Sequence, residues 1–391
     1  MDTKSLDKLY QSPIFQLSLS SKELFHSNFL YWISTISPEM FKYILTKLFE
    51  QAEGSAHLDN WPDNYDVKRE YNNFDLCVLK KSGKKESIWL VIENKVKSIP
   101  NILQVKEYSA KSPEAAHLLL SLSTNFPAKD AIIKESWSIT DYEKLSNILK
   151  TCLEKNLFNL NPYQSNIISD YAVYVEILHK LQKEWQIDIA ERFISPENLS
   201  YLRINDLQEK HRFSNLYTIL KKQLEDRLKA NIIENSSRTE IFSGRYTAKD
   251  KNVFIGWGMT RAQGLLEIKI LVEENVILLV QIQGNQYRHC VELNNSMSAE
   301  DNWNFYSNKD PMTSWFISNS NSNRPFCPFK DSPALLDIRP DTTRHDKRYN
   351  QYGNSFLYKS IGIPCKTTIK EVLDMIVYDC ENILNLLNQH E

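Results

Sequence analysis

The chain has 391 residues, of which 42% are hydrophobic and 25% are charged, enough apolar sequence for one large or two ordinary globular domains. Only 9 residues are glycine, and neither G-x-x-x-x-G-K-[ST] nor G-x-G-x-x-G occurs, which argues against a Walker-type NTPase and a Rossmann dehydrogenase. Because the formal net charge is -2, a surface for nucleic acid has to be a local patch.

The sequence shows no sign of a membrane or secretory segment. Its apolar runs fall well short of the ~20 residues that cross a bilayer, and residues 1–10 lack the apolar core of a secretory signal. The 6 cysteines include no C-x-x-C pair, and the 8 histidines include no H-E-x-x-H. We therefore predict a cytoplasmic protein with reduced thiols and neither a zinc motif nor a membrane partner.

In the first half of the chain, helical periodicity alternates with strand patterns. Ser20 and Glu23 fit a capping box at the start of the first helix. In chain order we predict a helix from about 20, a helix over 38–49, strands over 67–79 and 88–95 with a turn over 80–86, a helix over 100–111, strands over 115–123 and 137–140, and helices over 141–157 and 162–185. This order predicts an α/β fold in which helices pack on a mixed sheet.

The pattern changes near residue 190, where we place a domain boundary between 1–190 and 191–391. We predict helix over 196–233, strands over 253–259, 265–272, 276–283 and 287–293 with turns at 263–264 and 284–285, a loop over 294–325, and a C-terminal helix to about 388. Thr368 and Glu371 fit a capping box at the start of that last helix. The second domain is thus predicted to be α+β with an antiparallel meander, and its role in substrate selection, sensing or dimerisation stays open.

Two predicted strands of the first domain carry three residues typical of a catalytic site. Asp75 ends one strand, and Glu93 lies in the next, two residues before Lys95. Side chains two apart on a strand share a face, so Glu93 and Lys95 point the same way. Asp75 lies opposite Glu93 if the turn centres on residue 84, and the segment 82–85 is centred within one residue of that position.

Two carboxylates in this arrangement favour a bound cation. Opposed Cβ atoms lie roughly 4.5–5.5 Å apart, where like charges destabilise the pair. A Mg²⁺ ion takes one or two protein carboxylates and accepts phosphate oxygens, and Mn²⁺ is expected to substitute for it. Lys95 would orient an attacking water or neutralise charge on the phosphorus. We predict a phosphodiester-hydrolysis site with Asp75, Glu93 and Lys95 as its catalytic residues.

The flanking helices add polar residues to this picture. Gln104 and Tyr108 form an (i, i+4) pair on one face of the helix that follows Lys95. His26 is a polar residue beside the apolar stripe of the first helix. A plain surface pair would explain Gln104 and Tyr108 equally simply, and packing or hydrogen bonding behind the site would explain His26.

Together these segments resemble the PD-(D/E)XK nuclease superfamily. The similarity rests on E-L-F-H-S-N-F-L, R-E-Y-N-N-F-D-L, W-L-V-I-E-N-K and Q-V-K-E-Y, and it is greatest to the branch with an E-x-x-H-S first helix and a Q-x-x-x-Y helix, as in RecB-like nucleases. It covers roughly residues 20–125. The chain departs from the pattern before Asp75, where Phe74 stands in place of proline.

The resemblance implies a restriction-endonuclease-like fold and a set of roles. Asp75 and Glu93 would bind metal, Lys95 would be the catalytic lysine, and Glu23 would hold metal or a metal-bound water, although its capping-box role also explains it. Gln104 and Tyr108 would support the site or contact nucleic acid. DNA is favoured as substrate, in defence or DNA processing. The alternative is a non-catalytic nucleic-acid-binding or regulatory protein that retains the nuclease fold.

Two basic segments are candidates for contact with nucleic acid. Lys84 and Lys85 belong to a lysine cluster on the hairpin turn, and Arg344 and Arg348 lie among tyrosines in the second domain. A solvated loop explains each segment as well. The partners we expect are nucleic acid and no membrane, and a homodimer or an activating protein stays open.

Overall fold

The computed structural model of the protein describes residues 3–18, 23–54, 58, 60–123, 125–194, 200–261, 263–308 and 349–389. The chain divides into two compact units, one formed by residues 1–186 and 200–211 and the other by residues 187–199 and 212–391. None of the described helices combines the length and the apolar character that crossing a bilayer requires.

The N-terminal unit is a mixed sheet flanked by helices. Its helices are α1 (Thr3–Gln11), α2 (Pro13–Ser18), α3 (Glu23–Ile36), α4 (Pro38–Glu50), α5 (Ile102–Lys111), α6 (Lys129–Lys134), α7 (Tyr142–Glu154) and α8 (Pro162–Glu184), and its strands are β1 (Tyr65–Tyr71), β2 (Phe74–Ser82), β3 (Lys85–Lys95), β4 (Ala116–Ser121) and β5 (Ser138–Asp141). The sheet order is β1-β2-β3-β4-β5, antiparallel from β1 to β3 and parallel from β3 to β5. The predicted α/β class with a mixed sheet is confirmed.

The centre of this sheet is buried on both faces. Val91 on β3 and Leu119 on β4 are fully buried in a cluster that includes Val105 of α5 and Ile132 of α6. Helix α3 packs on β1, β2 and β3. Continuous apolar runs such as 88–92 are therefore explained by cover from helices on either side. The same cover fixes the positions of the polar residues at the end of β3.

The predicted single strand over 67–79 is wrong, because the chain turns back in its middle. Asn72 and Asn73 have φ angles of 55° and 70°, and the flanking Tyr71 and Phe74 pair with each other. Two consecutive residues with positive φ make a two-residue hairpin turn, and asparagine tolerates this conformation better than most residues. The segment is thus two antiparallel strands, β1 and β2.

Other differences in this unit concern helix ends and short helices. Helix α5 begins after Asn101, whose side chain accepts a hydrogen bond from Leu103 N, and not at Pro100. Helices α1, α2 and α6 were not predicted. Helix α3 is described from Glu23 onward, so Ser20 of the predicted capping box lies outside the described residues.

The C-terminal unit contains a second sheet, mostly antiparallel. Its strands are β6 (Ile232–Glu234), β7 (Val253–Thr260), β8 (Gln263–Glu273), β9 (Val276–Gln283), β10 (Gln286–Leu293), β11 (Asn350–Tyr352) and β12 (Phe356–Gly362), in the order β11-β12-β10-β9-β8-β7-β6. Its helices are α10 (Arg238–Glu240), α11 (Ala299–Asn308) and α12 (Ile369–Gln389), and the helix α9 (Asn205–Arg227) contributes its residues from 212 onward. The predicted antiparallel meander is confirmed in β7 to β10.

The predicted turn at 263–264 is wrong. Gly264 lies inside β8, where it pairs with Met259. A Cβ atom at this position would stand 2.0 Å from the Phe213 ring, so glycine is required by close packing and not by a turn. By contrast, Gly284 has a φ of 54° and lies between β9 and β10, as predicted.

The predicted loop over 294–325 is also wrong in its first part. Residues 299–308 form α11, which begins after Ser298, and the Ser298 hydroxyl accepts a hydrogen bond from Asp301 N at 3.1 Å. Residues 309–325 lie outside the described residues. The capping box at the last helix is confirmed, since Glu371 N donates to Thr368 Oγ1 at 3.2 Å and the Glu371 carboxylate accepts from Thr368 N at 2.7 Å.

Candidate active site

The β2–β3 hairpin brings Asp75 and Glu93 side by side. Leu76 pairs with Ile92, and one further step along this register sets Asp75 opposite Glu93. The turn itself is tight, with Ser82 paired to Lys85, and this pairing taken alone would set Asp75 opposite Ile92. A β-bulge supplies the missing residue.

The bulge lies on β3 at Trp89. Val78 pairs with Leu90 and Leu79 pairs with Ile88, so Trp89 has no partner on β2 within the described hairpin. The Trp89 ring lies 4.7 Å from the Trp61 ring, measured between centroids. One extra residue on one strand changes the register by one, and the bulge thereby sets Glu93 opposite Asp75.

A third acidic residue, Glu70, continues the row onto β1. Arg69 pairs with Leu76 and Tyr71 with Phe74, so the register sets Glu70 opposite Asp75. Glu70 is exposed and has a φ of 50°, a strained angle for a residue with a Cβ atom. Three carboxylates on three neighbouring strands therefore stand at one level of the sheet. The Asn72–Asn73 turn was the sequence signal that would have revealed Glu70.

The carboxylate of Glu93 is held from one side only. Lys95 Nζ donates to Glu93 Oε1 at 2.7 Å, and Gln104 Nε2 donates to the same oxygen at 3.0 Å. Glu93 is 3% exposed, and no described residue forms a hydrogen bond with its Oε2. A buried carboxylate oxygen without a partner is rare in folded proteins and marks a place for a ligand that would bind it.

Gln104 and Tyr108 fix this orientation from α5. Gln104 Nε2 also donates to the Tyr108 hydroxyl at 2.9 Å, which in turn donates to the Asn73 carbonyl oxygen at 2.7 Å. Tyr108 is 6% exposed. The pair is therefore not a plain surface pair, because it connects Glu93 to the turn that precedes Asp75.

Asn94 links the site to the helices behind it and was not singled out from the sequence. Its backbone N–H donates to Asp75 Oδ2 at 2.8 Å. Its side chain points to the other face of β3, where it donates to Ser27 Oγ at 2.9 Å and accepts from the Tyr142 hydroxyl at 3.1 Å. Asn94 thus positions Asp75 and fixes the strand between Glu93 and Lys95.

Glu23 contacts the segment that leaves β3. Its Oε1 accepts hydrogen bonds from Lys97 N at 3.0 Å and from Ser98 N at 2.5 Å, and the Ser98 hydroxyl lies 2.8 Å from its Oε2. Its charge contributes to the field at Asp75 and Glu93. The carboxylate is therefore close to the acidic row and is already bonded to the backbone of 97–98.

His26 lies behind the site and does not reach the acidic row. Its Nδ1 is 2.8 Å from the Tyr171 hydroxyl, and its ring is fully buried. Burial lowers the pKa of His26 to about 3, so the ring is neutral at physiological pH. This agrees with the alternative that His26 packs and forms hydrogen bonds behind the site.

The lysine cluster of the hairpin turn is not beside the carboxylates in the described structure. Lys84 and Lys85 are exposed at the tip of the β2–β3 hairpin. Lys85 and Glu93 are eight residues apart on β3, about 26 Å at ~3.3 Å per residue. Arg344 and Arg348 lie outside the described residues. Contact of these four residues with nucleic acid stays a prediction.

The electrostatics of the acidic row oppose full ionisation. Burial, followed by the charge of Asp75, raises the pKa of Glu93 to about 7. Burial also raises the pKa of Asp75, against the hydrogen bond from Asn94. Burial alone would lower the pKa of Lys95, but the neighbouring charges, with Glu93 first, outweigh it and raise that pKa. The site thus has an unmet need for positive charge.

A divalent cation fits these residues. Asp75 and Glu93 offer hard carboxylate oxygens, which Mg²⁺ and Mn²⁺ prefer, and Glu93 Oε2 has no hydrogen-bond partner among the described residues. Burial raises the pKa of both carboxyl groups, and the charge of Asp75 raises that of Glu93 further; a bound cation would offset both effects. A separate group of Asp141, Glu143 and His179 also has donor atoms within 4.8 Å of one another and could hold a metal ion.

Comparison with known proteins gives a family for this unit. Residues 13–173 match the family described as the PD-(D/E)XK nuclease superfamily. The matched segment runs from α2 into α8 and contains the acidic row, Lys95, Gln104 and Tyr108. Comparison with curated proteins gave no match, and comparison with solved structures gave none. The match shows that residues 13–173 are similar to PD-(D/E)XK nucleases, and it supports a nuclease-type function.

Proposed function

We propose that the N-terminal unit is a metal-dependent nuclease that hydrolyses phosphodiester bonds of DNA, with Asp75, Glu93 and Lys95 as catalytic residues and Mg²⁺ as the metal. One observation carries the proposal: the buried Oε2 of Glu93 has no hydrogen-bond partner among the described residues, opposite Asp75 and beside Lys95. Defence or DNA processing is the proposed setting, and DNA is proposed over RNA because of the resemblance of the sequence to this superfamily.

In this proposal Asp75 Oδ1 or Oδ2 and Glu93 Oε2 hold the ion, and Glu23 supports it from α3. When bound, a divalent ion lowers the pKa of its water and neutralises charge on phosphate oxygens. Asn94 N keeps Asp75 in place at 2.8 Å, and Gln104 keeps Glu93 in place at 3.0 Å. The carboxylates would therefore meet the metal with little reorganisation.

Lys95 would act on the water or on the phosphate. Its Nζ donates to Glu93 Oε1, an oxygen that also accepts from Gln104. The ammonium can thus leave this contact for a substrate oxygen while Gln104 still satisfies Glu93 Oε1. Lys95 is 8% exposed, so its charge acts in a site with little water, where it stabilises a developing anion more strongly than at the surface.

Cleavage assays test the proposal. Wild type, Asp75→Asn and Lys95→Ala would be incubated with linear, circular and single-stranded DNA and with RNA, in Mg²⁺ or in excess chelator. We expect cleavage of DNA by wild type in Mg²⁺ only, and a loss of at least about 100-fold in both variants. Lys111→Ala is the matched control, because Lys111 is an exposed lysine paired with Glu107 on α5.

Two outcomes would count against the proposal. Cleavage that survives in Lys95→Ala would mean that the site is elsewhere. Metal binding by wild type that is unchanged in Asp75→Asn, with no cleavage of any substrate, would favour the non-catalytic nucleic-acid-binding protein instead.

A further inference from the structure

A second group of ligand-type side chains lies at the carboxyl end of the parallel strands. Asp141 is the last residue of β5, Glu143 lies in the first turn of α7, and His179 belongs to α8. One donor atom from each lies within 4.8 Å of the others. Lys95 pairs with Ser121 and Ser121 with Asp141, so this group stands two strands, or about 10 Å, from the Lys95 backbone.

The His179 ring has the orientation of a metal ligand. Its Nδ1 lies 3.0 Å from the carbonyl oxygen of Leu122, which can only accept, so Nδ1 is the donor. In the neutral ring the lone pair then belongs to Nε2. Metal-binding histidines almost always donate their other ring N–H in this way, often to a backbone carbonyl.

The Nε2 atom itself is buried and aimed at the carboxylates. His179 is 3% exposed, and no described residue makes a hydrogen bond to Nε2. The distance from Nε2 to Glu143 Oε2 is 3.4 Å. This is longer than an ordinary N–H···O hydrogen bond, which measures about 2.7–3.2 Å. A lone pair that faces carboxylate oxygens is repelled by them unless a cation lies between.

In the structure, a surface lysine supplies positive charge beside Glu143. Lys183 Nζ donates to Glu143 Oε2 at 2.7 Å, and the Lys183 side chain is 51% exposed. An exposed lysine side chain can leave at little cost, because such pairs contribute roughly 0–1 kcal/mol. Lys183 would therefore compete with a metal ion for Glu143 without blocking the site.

We propose that Asp141, Glu143 and His179 bind a zinc-class transition-metal ion, with water completing its coordination. One imidazole nitrogen and two carboxylates suit Zn²⁺ or its spectroscopic substitute Co²⁺ better than Mg²⁺, which avoids nitrogen ligands. The donor atoms would close by about 1 Å to reach bonds of ~2.0–2.2 Å. The ion would join β5, α7 and α8, and it does not depend on the proposed nuclease function.

Metal titration of the full chain tests this site. Chelator-stripped Asp75→Asn with Glu93→Gln, which lacks the other carboxylate pair, would be titrated with Co²⁺ and Zn²⁺ by calorimetry and visible absorption. We expect one equivalent to bind, with a Co²⁺ spectrum of a nitrogen-containing site. Glu143→Gln and His179→Gln in that background should weaken binding by more than about 10-fold, since even the loss of an outer-shell partner costs roughly 10–100-fold.

Lys183→Met gives the sharpest test, because it removes the ammonium group that competes with a metal ion for Glu143 and leaves the three proposed ligands intact. Its metal affinity should rise, whereas Lys180→Met should leave the affinity unchanged. Lys180 lies on the same helix, is 53% exposed and pairs with Glu176. Glu143 is 38% exposed, so its glutamine variant should fold even if His179→Gln does not. Absence of binding, or equal binding in Glu143→Gln and the parent, would overturn the proposal and leave an ordinary ion pair.

Discussion

Lys95 and Gln104 donate hydrogen bonds to the same oxygen of Glu93, at 2.7 and 3.0 Å, although they lie on a strand and on a helix. The other oxygen of this carboxylate is buried and has no hydrogen-bond partner among the described residues. Glu93 is thus oriented before any ion binds, and the orientation survives if Lys95 moves. Gln104 is in this sense a positioning residue, since it acts through Glu93.

Gln104→Leu should weaken metal binding and cleavage while it preserves the shape of α5. The variant loses the donors to Glu93 and to the Tyr108 hydroxyl, and the loss of such an outer-shell partner costs roughly 10–100-fold in metal affinity or activity. Mn²⁺ affinity and cleavage rate are the measurements. Glu107→Gln is the control on the same helix, because Glu107 is exposed and contacts Lys111. Equal Mn²⁺ affinity in Gln104→Leu and wild type would contradict the positioning role.

Glu70 should contribute to metal binding but lower the stability of the folded protein. Glu70→Gln removes the charge and keeps the strain of a φ of 50°. Glu70→Gly removes the charge and also the strain, because glycine adopts a positive φ without a steric penalty. We expect both variants to bind Mn²⁺ more weakly, and Glu70→Gly to be more stable by about 1 kcal/mol.

Asn72→Gly is the control for this prediction. Asn72 has a similar φ of 55° in the same hairpin but no carboxylate, so its glycine variant should gain stability without any loss of metal binding. If Glu70→Gln binds Mn²⁺ as wild type does, Glu70 is only a turn-proximal surface residue.

The metal-free protein should lose stability as pH rises from about 4.5 to about 7. The pKa of Glu93 is raised from 4.5 to about 7 in the folded protein, so the folded state holds a proton that the unfolded state has already released. Stability therefore falls as pH rises through this window and is level above it. Thermal unfolding in chelator over a pH series measures the effect.

Two comparisons check the cause of that pH dependence. Glu93→Gln should reduce the slope between pH 4.5 and 7, because the titrating group is gone. Added Mg²⁺ should raise the melting temperature more at pH 8 than at pH 5, because the ion binds the ionised carboxylate. An identical slope in wild type and Glu93→Gln would assign the effect to other groups.

Lys84 and Lys85 should affect the affinity for DNA and not the chemical step. Their distance from Glu93 along β3 excludes contact with the reacting atoms, but a bound duplex extends that far. Lys84→Ala with Lys85→Ala should reduce the slope of log affinity against log salt by about 2, at roughly 0.9 per phosphate contact. Lys81→Ala, whose ammonium already pairs with Asp66, is the control. An unchanged slope would leave the cluster a solvated turn.

Gly264→Ala should destabilise the C-terminal unit. The added Cβ would stand 2.0 Å from the buried Phe213 ring, and overpacking of this kind costs about 1–3 kcal/mol. Gly258→Ala in the neighbouring strand is the control, because no described atom lies within 4 Å of its added Cβ. Denaturant unfolding followed by circular dichroism compares the two. Equal midpoints for the two variants would show that Phe213 moves aside freely.

The sequence predicted the parts of the site that local rules govern. Side-chain alternation set Glu93 and Lys95 on one face, and helical spacing set Gln104 below Tyr108. Glu70 was missed because the Asn72–Asn73 turn was taken for the middle of a strand. A two-residue turn is recognised mainly by glycine at one of its positions, and this turn has asparagine at both.

Long-range packing accounts for what no local rule could predict. Asp141 and His179 are far apart in sequence, and they meet only because α8 packs on α7. The same holds for Gly264, whose partner Phe213 lies on a helix that precedes the whole meander. The roles of the domains and of Arg344 and Arg348 stay predictions.

The unpaired Trp89 has a consequence for recognising active members of such a family. A chain that kept Asp75, Glu93, Lys95 and the same number of residues, but whose hairpin closed without the bulge at Trp89, would retain every motif letter. Ile92 would then face Asp75, and the glutamate and lysine would point to the opposite side of the sheet. Such a protein would look catalytic by residue identity and be inert. The bulge is therefore as diagnostic as the residues themselves.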